Sequence, residues 1–150
     1  MEVYRIGKTR YARDLTGEGA RLYGGRWNNV LTPCVYTSES RALALLEYTV
    51  NVNADEIPKA LSITTFEISD KNIKTLLPAD LPRDWLQAPA PASAKEFGTA
   101  LLKKGISVIK IPSCIIPGEF NYLLNPAVLT PTLFKMMSVE DFRYDIRIKS

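Results

Sequence analysis

Short runs of β-forming residues, each closed by proline, glycine or a polar turn, recur along this chain and restrict what it can become. Val3–Ile6, Cys34–Thr37, Ala60–Ile68, Ile106–Ile111 and Phe120–Leu124 have the length of strands rather than helices. The most apolar is Ile106–Ile111, which opens after Gly105 and closes at Pro112. In the tail, Phe142, Tyr144, Ile146 and Ile148 alternate with polar residues, the pattern of a half-buried strand. Helical spacing is rarer. Ser38 reads as the N-cap of a helix running to Val50, with Glu39 in its first turn and Ala42, Leu45, Leu46 and Thr49 as its apolar stripe. Ser93 with Glu96 matches a capping box, and the helix it opens should reach Lys103–Lys104 and stop at Gly105. Between these helices lies a proline-rich loop, Pro78 to Pro91, with Trp85 placed to pin it to the core. Strands outnumber helices, and few are joined by long helices. The expectation is an α+β fold, a mixed or antiparallel sheet core with a few helices, in a single domain over residues 1–150.

The chain has no histidine. That excludes Ser-His-Asp and Cys-His catalysis, and the common histidine-bearing zinc sites. Its two cysteines, Cys34 and Cys114, are too few for a structural zinc or a secreted disulfide framework, so no metal is expected and a reducing cytoplasm is the simplest setting. Nineteen basic against sixteen acidic residues give a net charge of +3, and the basic residues are scattered. Direct binding to nucleic acid is therefore not expected. The opening MEVYRIGKTR carries charges where a secretion signal needs an apolar core, and runs such as Ala42 to Leu46 are too short to span a bilayer. A cytoplasmic protein without membrane contact is the expectation.

Four segments carry candidate chemistry. In Gly24-Gly25-Arg26-Trp27-Asn28, glycines permit close backbone approach and Arg26 offers a planar fork for phosphate or carboxylate; a tight turn with a solvated arginine is the plainer alternative. Tyr36 lies in a short strand, where packing is the usual role of a tyrosine. Glu47 shares a helix face with Leu43 and Val50, so it should be partly buried and must be paired or hydrogen-bonded. Ser113, in Pro112-Ser113-Cys114, lies where the chain leaves the sheet, either as a ligand-binding hydroxyl or as a turn serine bonded to its own backbone. Val128 to Met137 is apolar and suits core packing better than a partner surface.

Taken in order, these segments resemble the RES-domain family, toxins of bacterial toxin–antitoxin pairs. The resemblance runs from Tyr4-Arg5 through Gly24-Gly25-Arg26-Trp27-Asn28, Val35-Tyr36-Thr37-Ser38-Glu39 and Leu45-Leu46-Glu47. It continues through Trp85 and Gly98 to Ile111-Pro112-Ser113, Asn121-Tyr122-Leu123-Leu124-Asn125-Pro126 and Phe142-Arg143-Tyr144-Asp145-Ile146-Arg147. The resemblance implies a core similar to ADP-ribosyltransferases and a toxin that arrests growth by degrading NAD. It implies a helix-turn-helix (Xre-type) antitoxin that covers the active site, DNA contact only through that antitoxin, and a homodimer as a further option. The family's arginine, glutamate and serine map to Arg26, Glu47 and Ser113 as catalytic residues. Arg26, Tyr36 and Ser113 are the implied substrate contacts, with NAD as substrate and no cofactor.

The implied chemistry suits the residue set. Nicotinamide leaves NAD as a neutral molecule, so no general acid is needed and the lack of histidine is no obstacle. Positive charge develops at the ribose anomeric carbon, as in glycoside cleavage. A carboxylate at Glu47 can stabilise it and orient the attacking group. Arg26 would clamp the pyrophosphate. Ser113 would bind the ribose or hold the strand that positions Glu47, and Tyr36 would stack on nicotinamide or shape its pocket. Hydrolysis and phosphorolysis differ only in whether water or phosphate accepts the ADP-ribosyl group. Two alternatives stand beside this. One is a mono-ADP-ribosyltransferase that modifies a host protein. The other is a non-catalytic binding module in which Arg26 and Glu47 form a structural ion pair and Pro89 to Pro91 dock a partner.

Overall fold

A computed structural model describes residues 1–128, 130 and 134–149. Its ten main elements are β1 (Glu2–Lys8), α1 (Glu18–Tyr23), β2 (Val35–Ser38), α2 (Arg41–Val50), β3 (Leu61–Ile68), β4 (Ile73–Thr75), α3 (Ala92–Lys103), β5 (Val108–Pro112), β6 (Phe120–Leu124) and β7 (Phe134–Phe142). The strands form one sheet in the order β4-β5-β6-β2-β1-β3-β7. Among the described residues only β4 and β5 run parallel, and every other neighbouring pair is antiparallel. The expected α+β architecture with a mixed sheet is the one observed.

Side-chain alternation on the strands builds two cores, one on each face of the sheet's β5-β6-β2 section. Ile109 and Ile111 of β5 and Leu123 of β6 point to one face and pack with Trp27, Leu81 and the α3 residues Ala94 and Leu102. Val108, Tyr122, Leu124 and Val35 point to the other face, where they meet Val3, Phe66, Ile68 and Phe134 from the β1-β3-β7 section. The two sections of the sheet thus face each other across this second core. Each fully buried Ile or Leu contributes about 1.5–3 kcal/mol. The seam between the sections is thin: β1 and β2 share the single register pair Tyr4↔Ser38, whereas β1 and β3 pair along the whole length of β1.

Several boundaries differ from the sequence expectation, each for a physical reason. Ser38 is still inside β2, so the N-cap of α2 is Ser40, whose Oγ accepts from the Leu43 N–H at 3.0 Å. The buried positions of α2 are Leu43, Ala44 and Thr49, while Ala42 and Val50 are exposed. The capping box at Ser93 does not form. Helix α3 starts at Ala92 with Pro91 as N-cap, and the Ser93 hydroxyl donates instead to the Asp84 carboxylate, a charged and therefore stronger acceptor. The C-terminal end of α3 before Gly105 is as expected, with Gly105 at φ +83°.

The tail differs most. The last strand is β7, Phe134–Phe142, and not the alternating run from Phe142 to Ile148. Its partner β3 begins at Leu61, which pairs with Phe142, so the chain beyond has no strand left to join. Those residues turn back toward α2 instead. Tyr144 is buried against Tyr48 and within 3.0 Å of the Thr49 hydroxyl, Lys149 Nζ donates to the Thr49 and Val52 carbonyls, and Ile146 is exposed. In the apolar stretch Val128 to Met137, residues 129 and 131–133 lie outside the described residues; Phe134 is buried and Met136 packs on the second core.

Candidate active site

Glu47 lies one turn after the buried Leu43 on α2, which brings its half-buried side chain over the ends of β5 and β6. Its Oε1 accepts two hydrogen bonds, from Ser113 Oγ at 3.0 Å and from Asn121 Nδ2 at 2.7 Å. The second oxygen, Oε2, has no hydrogen-bond partner among the described residues. No buried side-chain nitrogen or oxygen among them lacks a partner, so this free oxygen opens to solvent.

Ser113 directly follows β5. Its Oγ accepts from the backbone N–H groups of Ile115 and Ile116 at 3.0 and 3.2 Å, which turns the hydroxyl proton toward Glu47. The turn-serine reading is therefore the one observed, and the same hydroxyl also bonds to Glu47. Asn121 sits opposite Ser38 in the β2–β6 register, and Ser38 Oγ donates to its Oδ1 at 2.7 Å.

Arg26 comes from the loop between α1 and β2. Its Nη1 donates to the carbonyls of Trp85 and Gln87, both at 2.8 Å. The other guanidinium nitrogens have no partner among the described residues, so half of the fork is free for an anionic ligand. The loop is tightly held. Gly25 and Asn28 form an isolated antiparallel bridge. A Cβ on Gly25 would come within 2.6 Å of the Tyr36 hydroxyl and 2.8 Å of Asn28 Oδ1, so only glycine fits. Tyr36 Oη donates to Asn28 Oδ1 at 2.6 Å and accepts from the Trp27 N–H at 3.0 Å. Burial, the dominant cause, holds the Tyr36 phenol well above its ordinary pKa, so it stays neutral. Its hydroxyl is committed to the loop, which makes Tyr36 the support beneath Arg26. Trp27 stacks on Trp85 with ring centroids 6.4 Å apart, so Trp85 pins the proline-rich loop to the core as expected. Lys95 Nζ adds a bond to the Gly25 carbonyl at 2.8 Å.

Arg26 and Glu47 do not form an ion pair. Among the described residues, ion pairs join Met1 to Glu67 and Asp70, Arg21 to Glu18 and Arg147 to Asp145. The structural pair required by the binding-module alternative is thus missing. Both charges nevertheless act at one place. The Cys114 thiol is pushed up chiefly by burial; the Arg26 guanidinium opposes this and the Glu47 carboxylate adds to it. Arg26 and Glu47 thus both lie within electrostatic reach of Cys114, the neighbour of Ser113, and Tyr36 holds the loop that carries Arg26. Two surface hollows elsewhere, around Tyr48 and Asn53 and around Phe142 and Tyr144, contain none of them.

The sequence places Ser38 and Asn121 in segments of the family resemblance, and Ser38 as a helix cap, but gives neither a role in the site. A hydroxyl and an amide 83 residues apart become one unit only through the β2–β6 register, which local pattern does not contain. The carbonyl partners of Arg26 had no sequence signal. No cluster of three or more metal-ligating side chains occurs among the described residues, and no helix there is long and apolar enough to cross a membrane.

Comparison with known proteins places this geometry in context. The RES domain family model matches residues 2–147. A protein named Toxin Res from Yersinia enterocolitica is 37% identical over 152 residues, covering 99% of this chain and 100% of that protein. A protein named Prs ADP-ribosylating toxin from Sphingobium sp. is 34% identical over 145 residues, covering 94% of this chain and 90% of that protein. Among solved structures, the toxin–antitoxin complex MbcT-MbcA of M. tuberculosis contains a chain similar to this one with a TM-score of 0.79 at 20% identity, covering 95% of this chain and 84% of that one. At that identity the likeness concerns the fold.

Proposed function

The chain belongs to the RES-domain family, and on that premise we propose that it is the toxin of a toxin–antitoxin pair that cleaves the nicotinamide–ribose bond of NAD. The names of its relatives support the toxin reading. The observation that carries the chemistry is the state of Glu47: one carboxylate oxygen is fixed by two donors and the other is open.

The free oxygen is the group that meets the sugar. As the C–N bond breaks, the electron pair leaves with nicotinamide, whose ring nitrogen loses its positive charge. The electron-poor anomeric carbon remains, and the Glu47 carboxylate stabilises it. Fixing the carboxylate beforehand avoids reorganisation during the reaction. The half-free guanidinium of Arg26 binds the pyrophosphate and holds the sugar at Glu47. Ser113, with its proton committed to Glu47 and its lone pairs to backbone N–H groups, serves by orienting the carboxylate and not as a nucleophile.

Purified protein incubated with NAD, with and without phosphate, tests this directly. Free nicotinamide with ADP-ribose is the product of hydrolysis, and nicotinamide with a phosphorylated ADP-ribose is that of phosphorolysis. Intact NAD in both reactions rejects the reading. A second reading is transfer of ADP-ribose to a protein, favoured by the name of the Sphingobium relative. Labelled NAD added to lysate would then yield a labelled protein band. The solved relative is a toxin–antitoxin complex, which supports a cognate antitoxin here; co-expression with the neighbouring open reading frame should restore growth.

A further inference from the structure

We propose that Asn121, braced by Ser38, is the positioning residue that holds the Glu47 carboxylate in its reactive orientation. The kinetic part of this proposal rests on the NAD-cleaving reading, while the geometric part stands without it.

The chain of bonds has only one direction. A carboxylate can only accept, so the Asn121 group facing Glu47 must be the amide nitrogen, at 2.7 Å. Its carbonyl oxygen then points the other way and needs a donor, which Ser38 Oγ provides at 2.7 Å. A flipped amide would set its oxygen against the Glu47 carboxylate and lose that bond, whereas the Ser38 hydroxyl, which can donate or accept, would still find a partner in it. The carboxylate therefore fixes which end of the amide faces it, and the Ser38 hydroxyl holds the far end in place.

The backbone makes the arrangement rigid. Ser38 and Asn121 are direct cross-strand partners, and Asn121 is also paired with Ile111 on its other side. Ser38 in addition holds the single register pair to Tyr4 that joins the two sections of the sheet. Ser113, by contrast, lies just beyond β5 in a turn. Of the two donors to Oε1, the amide is the shorter contact and comes from within the sheet. Two donors on one oxygen also define which oxygen is left for the sugar.

The test uses the full chain with Asn121→Ala and Asn121→Asp, in crystals and in NAD turnover. In crystals of either variant, the Glu47 carboxylate should move away from Ser113 Oγ or occupy two rotamers. A single rotamer matching the parent protein in both variants overturns the proposal, whatever substrate the enzyme uses. In turnover, kcat should fall by about 10- to 100-fold with KM changed by less than about three-fold, since misplacement of a reacting group affects the chemical step. The near-isosteric Asp keeps the shape but replaces the donor with a second carboxylate, so it should be at least as damaging as Ala. An Asp variant with near-parental kcat, or an effect confined to KM, overturns the proposal. Ser38→Ala should lower kcat by about five-fold, the worth of one hydrogen bond, and add little in the Asn121→Ala background. If the parent protein leaves NAD intact, the NAD reading fails by itself and the crystallographic comparison still decides the positioning role.

Discussion

The two sides of the site are built on different principles. The Glu47 side uses a helix and strand ends, and its polar atoms are held by side-chain donors: Ser113, Asn121 and, behind it, Ser38. The Arg26 side is a loop, and its guanidinium is held by the main-chain carbonyls of Trp85 and Gln87. Close packing of Gly25 on the Tyr36 and Asn28 side chains, of Gly98 on the Trp27 backbone, and the stacked Trp27–Trp85 pair keep that loop in place. The carboxylate side should therefore be sensitive to changes of chemistry at nearly constant volume. The arginine side should be sensitive to changes of volume at nearly constant chemistry.

The sharpest break in this contrast is expected at Glu47. Glu47→Gln keeps the size of the side chain and leaves an oxygen acceptor for Ser113 and Asn121, but removes the charge. kcat for NAD consumption should fall by about 10²–10³-fold, as for removal of a preorganised electrostatic stabiliser, while the thermal midpoint stays within a few degrees of the parent. Activity near the parental level in the folded variant would remove Glu47 from the chemistry. Next comes Arg26→Ala, expected to lower kcat/KM by about 2–3 kcal/mol through loss of a charge-assisted contact. Because its present bonds are to two carbonyls, the same variant should also loosen the 85–87 loop, read as faster amide exchange there.

The volume side is tested at Gly98. A Cβ there would lie 2.0 Å from the Trp27 carbonyl oxygen, and that neighbour is backbone, which cannot simply rotate away. Gly98→Ala should destabilise the protein by about 1–3 kcal/mol in urea unfolding, despite the better helix propensity of alanine. It should also raise KM, because Trp27 follows Arg26. A more stable variant would show that α3 does not clamp the loop. Tyr36→Phe is milder. It leaves the Trp27 N–H without its acceptor and Asn28 Oδ1 without its donor, at a cost of about 1–2 kcal/mol in stability.

The same contrast explains what the sequence made legible. The β5 and β6 segments are readable because apolar residues dominate both, broken only by Lys110 and Asn121, and most of their positions are buried on both faces. Helix α3 could be placed by Gly105, but its start could not, since Ser93 bonds to Asp84 in a neighbouring loop. Strand β7 was hidden because it lies at the sheet edge with a mixed burial pattern, while the cleaner alternation follows where β3 has already run out. Helix α1 was hidden among glycines, and β4 is only three residues long. In the site, Arg26, Tyr36, Glu47 and Ser113 were named through family resemblance, and the structure sets Arg26 and Glu47 within electrostatic reach of Cys114, the neighbour of Ser113, with Tyr36 holding the Arg26 loop. Ser38 and Asn121 depend on cross-strand register, and the carbonyls of Trp85 and Gln87 on a loop path; neither is written in local residue pattern.

The smallest expected effect marks the border between the two sides. Cys114 sits where the fields of Arg26 and Glu47 overlap, and a thiol so placed is an obvious candidate nucleophile. Its environment argues otherwise. Burial raises its pKa, and although the Arg26 guanidinium favours the thiolate, the Glu47 carboxylate disfavours it. A thiol raised from an ordinary value near 9.0 remains protonated at neutral pH, where it is a poor nucleophile. Cys114→Ser should therefore keep NAD consumption within about two-fold of the parent, since a single small polar exchange at a half-buried site usually costs about 0.5–1 kcal/mol or less. The rate should also rise little between pH 7 and 8.5, an interval over which a reactive thiolate would accumulate. A loss comparable to that of Glu47→Gln, or a steep alkaline rise abolished by the serine, would move the reacting group from the carboxylate to the sulfur and dissolve the division between the two sides.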